Sequence, residues 1–169
     1  MRRLLLLVLA SAALANGPAR ALQVSDETVD RVTACIRSAA AVHRVPPGVI
    51  AILLAVEGGT LRRVSENSNG TVDIGPMQIN QIHLPELATR WNTTPERARE
   101  ALLTSFCANV EAGAWILRTA IDSAGGDFWE GVGRYHSTTE VYKTRYLRRV
   151  LEQAIRLQRI AVPAAEGRE

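Results

Sequence analysis

The stretch of sequence that decides the fold is residues 49–80, which read VIAILLAVEGGTLRRVSENSNGTVDIGPMQIN. Its apolar first part predicts a helix that opens at Pro46-Pro47 and ends at Gly58-Gly59, because proline suits a first helical turn and glycine is a common helix stop. The polar residues 65–73 predict a short hairpin or loop that closes at Asn69-Gly70. The stretch therefore predicts a helix that leads directly into a short β excursion.

Glu57 places a carboxyl group on the apolar face of this predicted helix. It follows Leu53 by four residues and Ile50 by seven, and residues at these spacings share one helix face. Burial and the negative end of the helix dipole both disfavour a carboxylate, so we expect a raised pKa for Glu57. A carboxylic acid still protonated near neutral pH suits general acid catalysis. From position alone, a solvated glutamate at a frayed helix end is the better interpretation.

The rest of the sequence predicts a mainly α-helical chain. Apolar residues recur at three- and four-residue spacing between turn residues. Gly75-Pro76 is expected to start a short helix through Ile79. Other helices are expected from Ser25 to Ala40, near Thr94-Pro95, from Phe106 to Ile121, from Phe128 to Tyr135 and from Thr139 to Ile160. We find no repeat and no interdomain linker, so the sequence predicts one domain over residues 22–162 and a flexible tail over residues 163–169.

The first 21 residues have the plan of a secretory signal peptide. Arg2-Arg3 precede the apolar residues 4–10, and small residues follow up to Ala19-Arg20-Ala21, which fits a cleavage site. A cut after Ala15 is an alternative. A single membrane anchor competes with this interpretation, but the apolar core is shorter than the roughly 20 residues that a spanning helix needs. We therefore expect cleavage of residues 1–21 and a periplasmic location.

Export changes the charge balance of the protein. The whole chain has 20 basic and 17 acidic residues. Residues 1–21 contain three arginines and no acidic residue, so the remainder has equal numbers and no net charge. The basic pI of the full sequence is thus no evidence for nucleic-acid binding, and we expect none. The arginines of the last predicted helix are interpreted as a solvated face: Arg145, Arg148 and Arg149.

The cysteines and histidines carry separate predictions. In an exported protein the single pair, Cys35 and Cys107, predicts a disulfide that ties the first helix to a later one. Two buried free thiols are the alternative, and in a cytosolic chain they would be the better interpretation. His43, His83 and His136 have no metal-ligand spacing with one another or with the cysteines. We therefore expect no metal and no cofactor.

Several motifs, taken in order, resemble one family of enzymes. The family is that of the lytic transglycosylases of the goose-type lysozyme-like fold, and the resemblance lies in residues 57–59, 67–71 and 73–80. Residues 107–117 and 131–137 also resemble members of this family. The likeness is greatest to the small branch associated with type III and type IV secretion, conjugation and type IV pili. The resemblance implies a mainly α, lysozyme-like domain with a short β-hairpin or polar loop near residues 65–74.

The resemblance implies a reaction as well as a fold. Such enzymes cut the β-1,4 bond between N-acetylmuramic acid and N-acetylglucosamine in peptidoglycan. One glutamate, here Glu57, protonates the glycosidic oxygen and then acts as base on the muramoyl 6-hydroxyl. The product is a 1,6-anhydro sugar, and the acetamido group of the substrate can stabilise the cationic intermediate. A second catalytic carboxylate is therefore not required, as in other substrate-assisted exceptions to the two-carboxylate rule.

The resemblance further implies roles for residues near Glu57. Asp73 resembles a second carboxylate of some secretion-associated members, where it steadies positive charge on the sugar; the alternative is an aspartate that hydrogen-bonds its own turn. Tyr135 resembles the tyrosine whose hydroxyl approaches the catalytic glutamate. Met77 also fits the core, and Asn80 also fits a helix cap. Substrate contacts are expected at Gln78, Asn80, Tyr135, Met77 and Asn69.

The chain departs from the family pattern at three places. Gly58 stands where the family has a serine that orients the carboxylate or the substrate. Pro76 replaces a leucine of the family motif. His136-Ser137 replaces an Asn-Ala pair, and similar replacements occur in the small branch. These departures thus help to identify the branch of the family more than they argue against activity.

Three functional hypotheses follow from the sequence. The first is a monomeric lytic transglycosylase that opens the wall locally for a secretion, conjugation or pilus machine. The second is a hydrolytic muramidase of the same fold, which is favoured if Asp73 pairs with Glu57. The third is a non-catalytic peptidoglycan-binding assembly factor, to which Gly58 gives modest support.

Overall fold

The structure is a computed structural model that describes residues 26–161. The predicted signal peptide, residues 1–21, and the predicted tail, residues 163–169, lie outside the described residues. In chain order the elements are α1 (Asp26–His43), α2 (Pro47–Glu57), β1 (Val64–Glu66), β2 (Val72–Ile74), β3 (Ile79–Asn80), a 3-10 helix (Gln81–His83), α3 (Leu84–Arg90), α4 (Pro95–Thr104), α5 (Phe106–Ser123), α6 (Phe128–His136) and α7 (Glu140–Ala161). The predicted mainly α fold class with a short β-hairpin is confirmed.

Helix α2 has the bounds that its sequence predicts. Pro47 occupies the first helical turn, where a missing N–H costs nothing. Gly58 ends the helix in the left-handed conformation at φ +64°, and its N–H donates to the carbonyl of Leu54. This termination leaves Glu57 as the last residue of the helix. Glu57 therefore lies directly before the loop, residues 58–63, that leads into the sheet.

A three-stranded antiparallel sheet, in the order β1-β2-β3, follows α2. The predicted hairpin is confirmed between β1 and β2, with Ser65 opposite Asp73. Its turn is closed by the Gly70 N–H, which donates to the carbonyl of Asn67, and Gly70 adopts φ +81°. Strand β3 pairs with β2 so that Asn80 lies opposite Asp73. The side chains of Asp73 and Asn80 consequently share one face of the sheet.

The predicted short helix at Gly75-Pro76 is wrong. Residues 75–78 form a turn between β2 and β3, in which the Gln78 N–H donates to the Gly75 carbonyl over 3.1 Å. Gly75 and Gln78 have φ angles of +71° and +49°, which an α-helix does not accept. The turn lets Ile74 and Ile79 pair across the strands, both buried. Helix α3, which follows the sheet, has no counterpart in the sequence prediction.

Helix α5 is the centre of the core. It packs against α1, α4 and α6, and most of its residues from 109 to 117 are buried. Gly113 allows the Met77 side chain to approach closely, because an added Cβ would lie 2.6 Å from the Met77 Cε. Helix α7 packs on α2 and α6. Helix α5 also contacts α2 and β3, so the helix that carries Glu57 and the sheet lie against the same central helix.

The Cys35–Cys107 disulfide joins α1 to the first turn of α5, with the two Cα atoms 5.0 Å apart. The predicted disulfide and the predicted link from the first helix to a later one are confirmed. Within residues 26–161 no single helix has the length and apolarity of a membrane span. The pair α1 and α2 reaches that composition only together, across a bend of 118°.

Candidate active site

A cleft of about 630 Å³ lies between the sheet and the helices α2, α6 and α7. Polar side chains from the hairpin turn, β2 and β3 form one wall: Asn67, Asn69, Thr71, Asp73, Gln78 and Asn80. Residues of the helices and their connections form the other wall: Glu57, Tyr135, His136, Ser137, Tyr142 and Arg149. The cleft thus collects, from distant parts of the chain, most of the residues that the sequence nominated.

Glu57 is the part-buried carboxyl group of this cleft. Burial raises its pKa from 4.5 to about 7, and the charge of Asp73 adds to this rise. A hydrogen bond from Tyr146 and the positive charge of Arg149 act in the opposite direction. The raised pKa expected from the sequence is therefore present, and burial is its main cause. Near neutral pH the carboxyl group exists in both protonation states.

The tyrosine that contacts Glu57 is Tyr146 on α7. Its hydroxyl donates to Glu57 Oε1 over 2.5 Å. The Tyr135 hydroxyl donates to the Met77 carbonyl over 3.0 Å. Burial raises the pKa of Tyr135, and the charge of Glu57 adds to this rise, so Tyr135 lies near Glu57 with its hydroxyl bonded to the turn. The two tyrosine rings are stacked with centroids 6.4 Å apart. Tyr135 therefore buttresses Tyr146 and ties α6 to the turn before β3.

His136 completes this aromatic layer, since its ring lies parallel to that of Tyr146 with centroids 4.7 Å apart. Burial lowers the pKa of His136, and the positive charge of Arg149 lowers it further, while Asp73 opposes both. The shift favours the uncharged imidazole of His136, which lines the cleft.

Asp73 and Asn80 form the polar centre of the opposite wall. Asn80 Nδ2 donates to Asp73 Oδ1 over 2.8 Å and to Thr71 Oγ1 over 3.0 Å. The Asn80 Oδ1 accepts from the N–H of Ile82, which makes Asn80 the cap of the 3-10 helix as well as a cleft residue. Asn69 Oδ1 accepts from the N–H and hydroxyl of Thr71, so it shapes the hairpin turn. Asp73 and Asn69 both line the cleft.

Gln78 and Met77 have different places in the turn between β2 and β3. Gln78 lines the cleft, and its side-chain amide donates to the Gly75 carbonyl over 2.8 Å. Met77 is fully buried against Gly113, so the expected sugar contact by its side chain is wrong. Gly59 permits this turn to lie against the end of α2, because a Cβ there would be 2.1 Å from the Gly75 carbonyl oxygen.

Asn109 anchors the same turn from beneath. It is fully buried on α5, and its Oδ1 accepts from the Met77 N–H over 2.7 Å. Its Nδ2 donates to the carbonyls of Ile74 and Leu102 over 2.9 and 3.0 Å. Sequence analysis missed this role. The available signal was an amide side chain next to Val110 in the apolar part of α5.

Sequence analysis also missed Tyr146, Tyr142 and Arg149. Tyr142 is exposed at the rim of the cleft. Arg149 Nη2 donates to the Val56 carbonyl over 2.7 Å, so its assignment to a purely solvated helix face is wrong. The spacing of Tyr142, Tyr146 and Arg149 by four and three residues on α7 places them on one face, which is the signal that could have found them.

The ionisable side chains were also compared with the requirements of a metal site. Among residues whose side chains the structure describes, no group of three or more histidine, cysteine, aspartate or glutamate side chains could hold a metal ion. The carboxylates of the cleft, Glu57 and Asp73, lie with amides and hydroxyls. This arrangement suits proton transfer and hydrogen bonding to a polar ligand.

Comparison with known proteins defines the class of this protein. The sequence model of the Transglycosylase SLT domain family matches residues 34–156, which include the cleft and Glu57. The match covers more than half of the chain, so the chain belongs to the transglycosylase SLT domain family. The family resemblance inferred from the sequence motifs is confirmed, and the mainly α fold agrees with its lysozyme-like architecture.

Two relatives in Escherichia coli are similar to this chain. In strain O157:H7, a "peptidoglycan-binding-like protein" is 31% identical over 111 residues, which are 62% of this chain and 64% of that protein. In strain K12, a "putative peptidoglycan-binding-like protein" is 29% identical over 109 residues, which are 61% of this chain and 66% of that protein. The chain thus covers slightly less than two thirds of the length of these relatives.

The hydrogen bond from Tyr146 gives a prediction that needs no enzymatic assay. We expect Tyr146→Phe to raise the pKa of Glu57 further above about 7, because the hydroxyl now stabilises the carboxylate. NMR titration of the labelled Glu57 carboxyl carbon measures this value. Tyr142→Phe is the matched control, since Tyr142 lines the same cleft at its exposed rim. An unchanged Glu57 pKa in Tyr146→Phe would contradict the assigned contact.

Proposed function

We propose that this protein is a peptidoglycan lytic transglycosylase that acts in the periplasm. The single observation that carries the proposal is Glu57, a part-buried carboxyl group with a pKa of about 7 in a polar cleft. Membership of the transglycosylase SLT domain family supports the substrate and the reaction class. The names of the two Escherichia coli relatives support an association with peptidoglycan.

In the proposed reaction Glu57 transfers a proton twice. Protonated Glu57 first gives its proton to the oxygen between C1 of N-acetylmuramic acid and C4 of N-acetylglucosamine. The C1–O bond breaks, and the N-acetylglucosamine end leaves with a free 4-hydroxyl. The Glu57 carboxylate then takes the proton of the muramoyl 6-hydroxyl, and the oxygen of that hydroxyl bonds to C1. The 1,6-anhydro ring forms without consuming water, and Glu57 returns to its protonated state. A pKa near neutrality suits both steps.

The opposite wall of the cleft is proposed to bind and steady the sugar. Asp73 carries the second carboxylate, held by the Asn80 amide. We propose that its charge stabilises the cationic intermediate at C1. Gln78, Asn69 and Asn80 present amides in the cleft and are proposed to hydrogen-bond sugar hydroxyl and acetamido groups. Tyr135 contributes by holding the wall through Met77.

A hydrolytic muramidase is the second candidate, and Asp73 is the observation that favours it. Asp73 lines the cleft with Glu57 and influences its pKa, so the two carboxyl groups are electrostatically linked. In glycosidases a second carboxylate serves as nucleophile or activates water. In this alternative the muramoyl product would end in a free reducing sugar.

Product analysis separates the candidates. We expect purified protein to release muropeptides with 1,6-anhydro ends from peptidoglycan, detected by mass spectrometry as products 18 Da lighter than the hydrolytic ones (about the mass of one water, the molecule that anhydro formation does not consume). Free reducing ends would favour the hydrolase. Binding to glycan strands without cleavage at any pH would favour the non-catalytic assembly factor.

We expect Asp73→Asn to slow release of muropeptides about 10- to 100-fold without changing the product, because a stabilising charge is lost.

The biological setting is a further part of the proposal. Residues 1–21 fit a cleavable signal peptide and would deliver the domain to the periplasm, where its substrate lies. We propose that the enzyme acts as a monomer and opens the wall locally for a secretion, conjugation or pilus apparatus. The likeness of its motifs to the small secretion-associated branch supports this role.

A further inference from the structure

Helix α7 contacts the end of α2 at two adjacent points. The Tyr146 hydroxyl donates to the Glu57 carboxyl group, and Arg149 Nη2 donates to the Val56 carbonyl. Tyr146 and Arg149 are three residues apart and therefore lie on one face of α7. One contact holds the side chain of Glu57, and the other holds the backbone one residue before it.

A cation near the C-terminal end of a helix stabilises that helix. The last carbonyls of a helix have no partner within it and carry partial negative charge. In α2 the Leu54 carbonyl accepts from Gly58, but the last turn contains no basic residue of its own. Arg149 supplies the missing cation from α7 and bonds the Val56 carbonyl directly. The position of the Glu57 backbone thus depends on a side chain 92 residues later.

Arg149 also has a distinct place in the charge pattern of the cleft. Among the cleft-lining residues that the structure describes, it is the only lysine or arginine. Glu57 interacts with Tyr146 and Arg149 from α7, with Asp73 from β2 and with Tyr135 from α6. His136 and His83 are further titratable residues that line the same cleft. Among the described residues that line the cleft, Arg149 is thus the one permanent positive charge, and it lies with the two carboxyl groups of Glu57 and Asp73.

We propose that Arg149 is a positioning residue for Glu57. It caps α2 through the Val56 carbonyl, and its positive charge stabilises the ionised carboxylate. This inference rests on the proposed function. Arg149 does not exchange a proton with the substrate. It fixes the direction in which the carboxyl group leaves the helix, and it sets the balance between the acid and base forms that the two steps require.

Arg149→Met tests the proposal, since methionine keeps an extended side chain and removes the charge and all donors. We expect kcat on peptidoglycan to fall about tenfold with little change in KM, because the carboxyl group loses its fixed direction. The positive charge of Arg149 lowers the Glu57 pKa, so its removal raises that pKa. The alkaline fall of kcat should therefore move to higher pH, by about half a pH unit.

Two further variants make the result specific. Arg149→Lys retains the charge and should return the alkaline fall of kcat to the wild-type pH. Arg148→Met removes an exposed arginine next in the chain and should leave both kcat and the pH profile unchanged. If Arg149→Met matches Arg148→Met in kcat and pH profile, Arg149 is not a positioning residue.

NMR titration of the Glu57 carboxyl carbon distinguishes failure of this inference from failure of the proposed function. If the wild type cleaves no glycan, the proposed function fails, but the titration still tests the contact. A Glu57 pKa that rises in Arg149→Met and not in Arg149→Lys supports the inference. An equal Glu57 pKa in all variants overturns it, provided that circular dichroism shows each variant to be folded.

Discussion

Glu57→Gln should reduce the rate of glycan cleavage about a thousandfold or more, because glutamine can neither donate nor accept the proton that both steps of the proposed reaction transfer. The measurement is release of soluble muropeptides from purified peptidoglycan by wild type and variant at matched concentrations. Glutamine keeps the size of the side chain, and its carbonyl can still accept from the Tyr146 hydroxyl. Wild-type cleavage by a folded Glu57→Gln variant would exclude Glu57 as the catalytic acid.

The same variant has a signature in stability that does not depend on substrate. The folded-state pKa of Glu57 is about 7 and its ordinary value is 4.5. Between these values the folded state binds more protons than the unfolded state, so the contribution of Glu57 to stability falls as pH rises from 4.5 to about 7. Glu57→Gln lacks this dependence. Its melting temperature relative to wild type should therefore increase over that pH range.

A constant difference in melting temperature between pH 4.5 and pH 8 would contradict the raised pKa of Glu57. It would leave the sequence-based alternative, a solvated glutamate at a helix end. Glu66 provides a matched control, since it is exposed in β1. Glu66→Gln, measured over the same pH range, gives the baseline for replacing an exposed carboxyl group.

Asn109→Leu should lower the free energy of unfolding by about 3 kcal/mol or more, because it leaves three buried backbone groups without their partner. These groups are the Met77 N–H and the carbonyls of Ile74 and Leu102. Leucine has the same number and branching of side-chain heavy atoms as asparagine, so the substitution leaves no cavity and removes the hydrogen bonds. Urea unfolding followed by circular dichroism measures the change.

A substitution at the exposed position Thr119 on the same helix serves as the comparison. Thr119→Leu should change the free energy of unfolding by no more than about 0.5 kcal/mol. Hydrogen exchange adds local information, because the Met77 amide should exchange faster in Asn109→Leu than other amides of the core. A urea midpoint equal to that of wild type in Asn109→Leu would show that Asn109 does not support the turn.

The site illustrates which features local sequence can predict. The bounds of α2 follow from Pro47 and Gly58, which act on their own backbone. The place of Glu57 on an apolar face follows from its spacing to Ile50 and Leu53. The hairpin at Gly70 is also local, since its turn needs a residue that tolerates positive φ. Each of these depends on neighbours within one or two turns of chain.

The errors have a common physical origin in long-range contacts. The motif around Tyr135 indicated a tyrosine near Glu57, but it gave no sign of Tyr146, which makes the hydrogen bond to Glu57 across 89 residues. The spacing at Gly75-Pro76 suggested a helix, yet pairing of Ile74 with Ile79 and the bond from Asn109 favour a turn. A one-dimensional pattern does not contain the packing that decides between such partners.

The sequence by itself determined the helix that ends at Glu57, the polar hairpin that follows it, the disulfide and the family. These are properties of spacing and residue type, because backbone conformation and burial pattern are set largely by near neighbours. Only the tertiary structure decided how Glu57 is held, since the packing of α7 on α2 brings Tyr146 and Arg149 to it. The proton affinity of Glu57 is a property of that packing, because burial is its main cause.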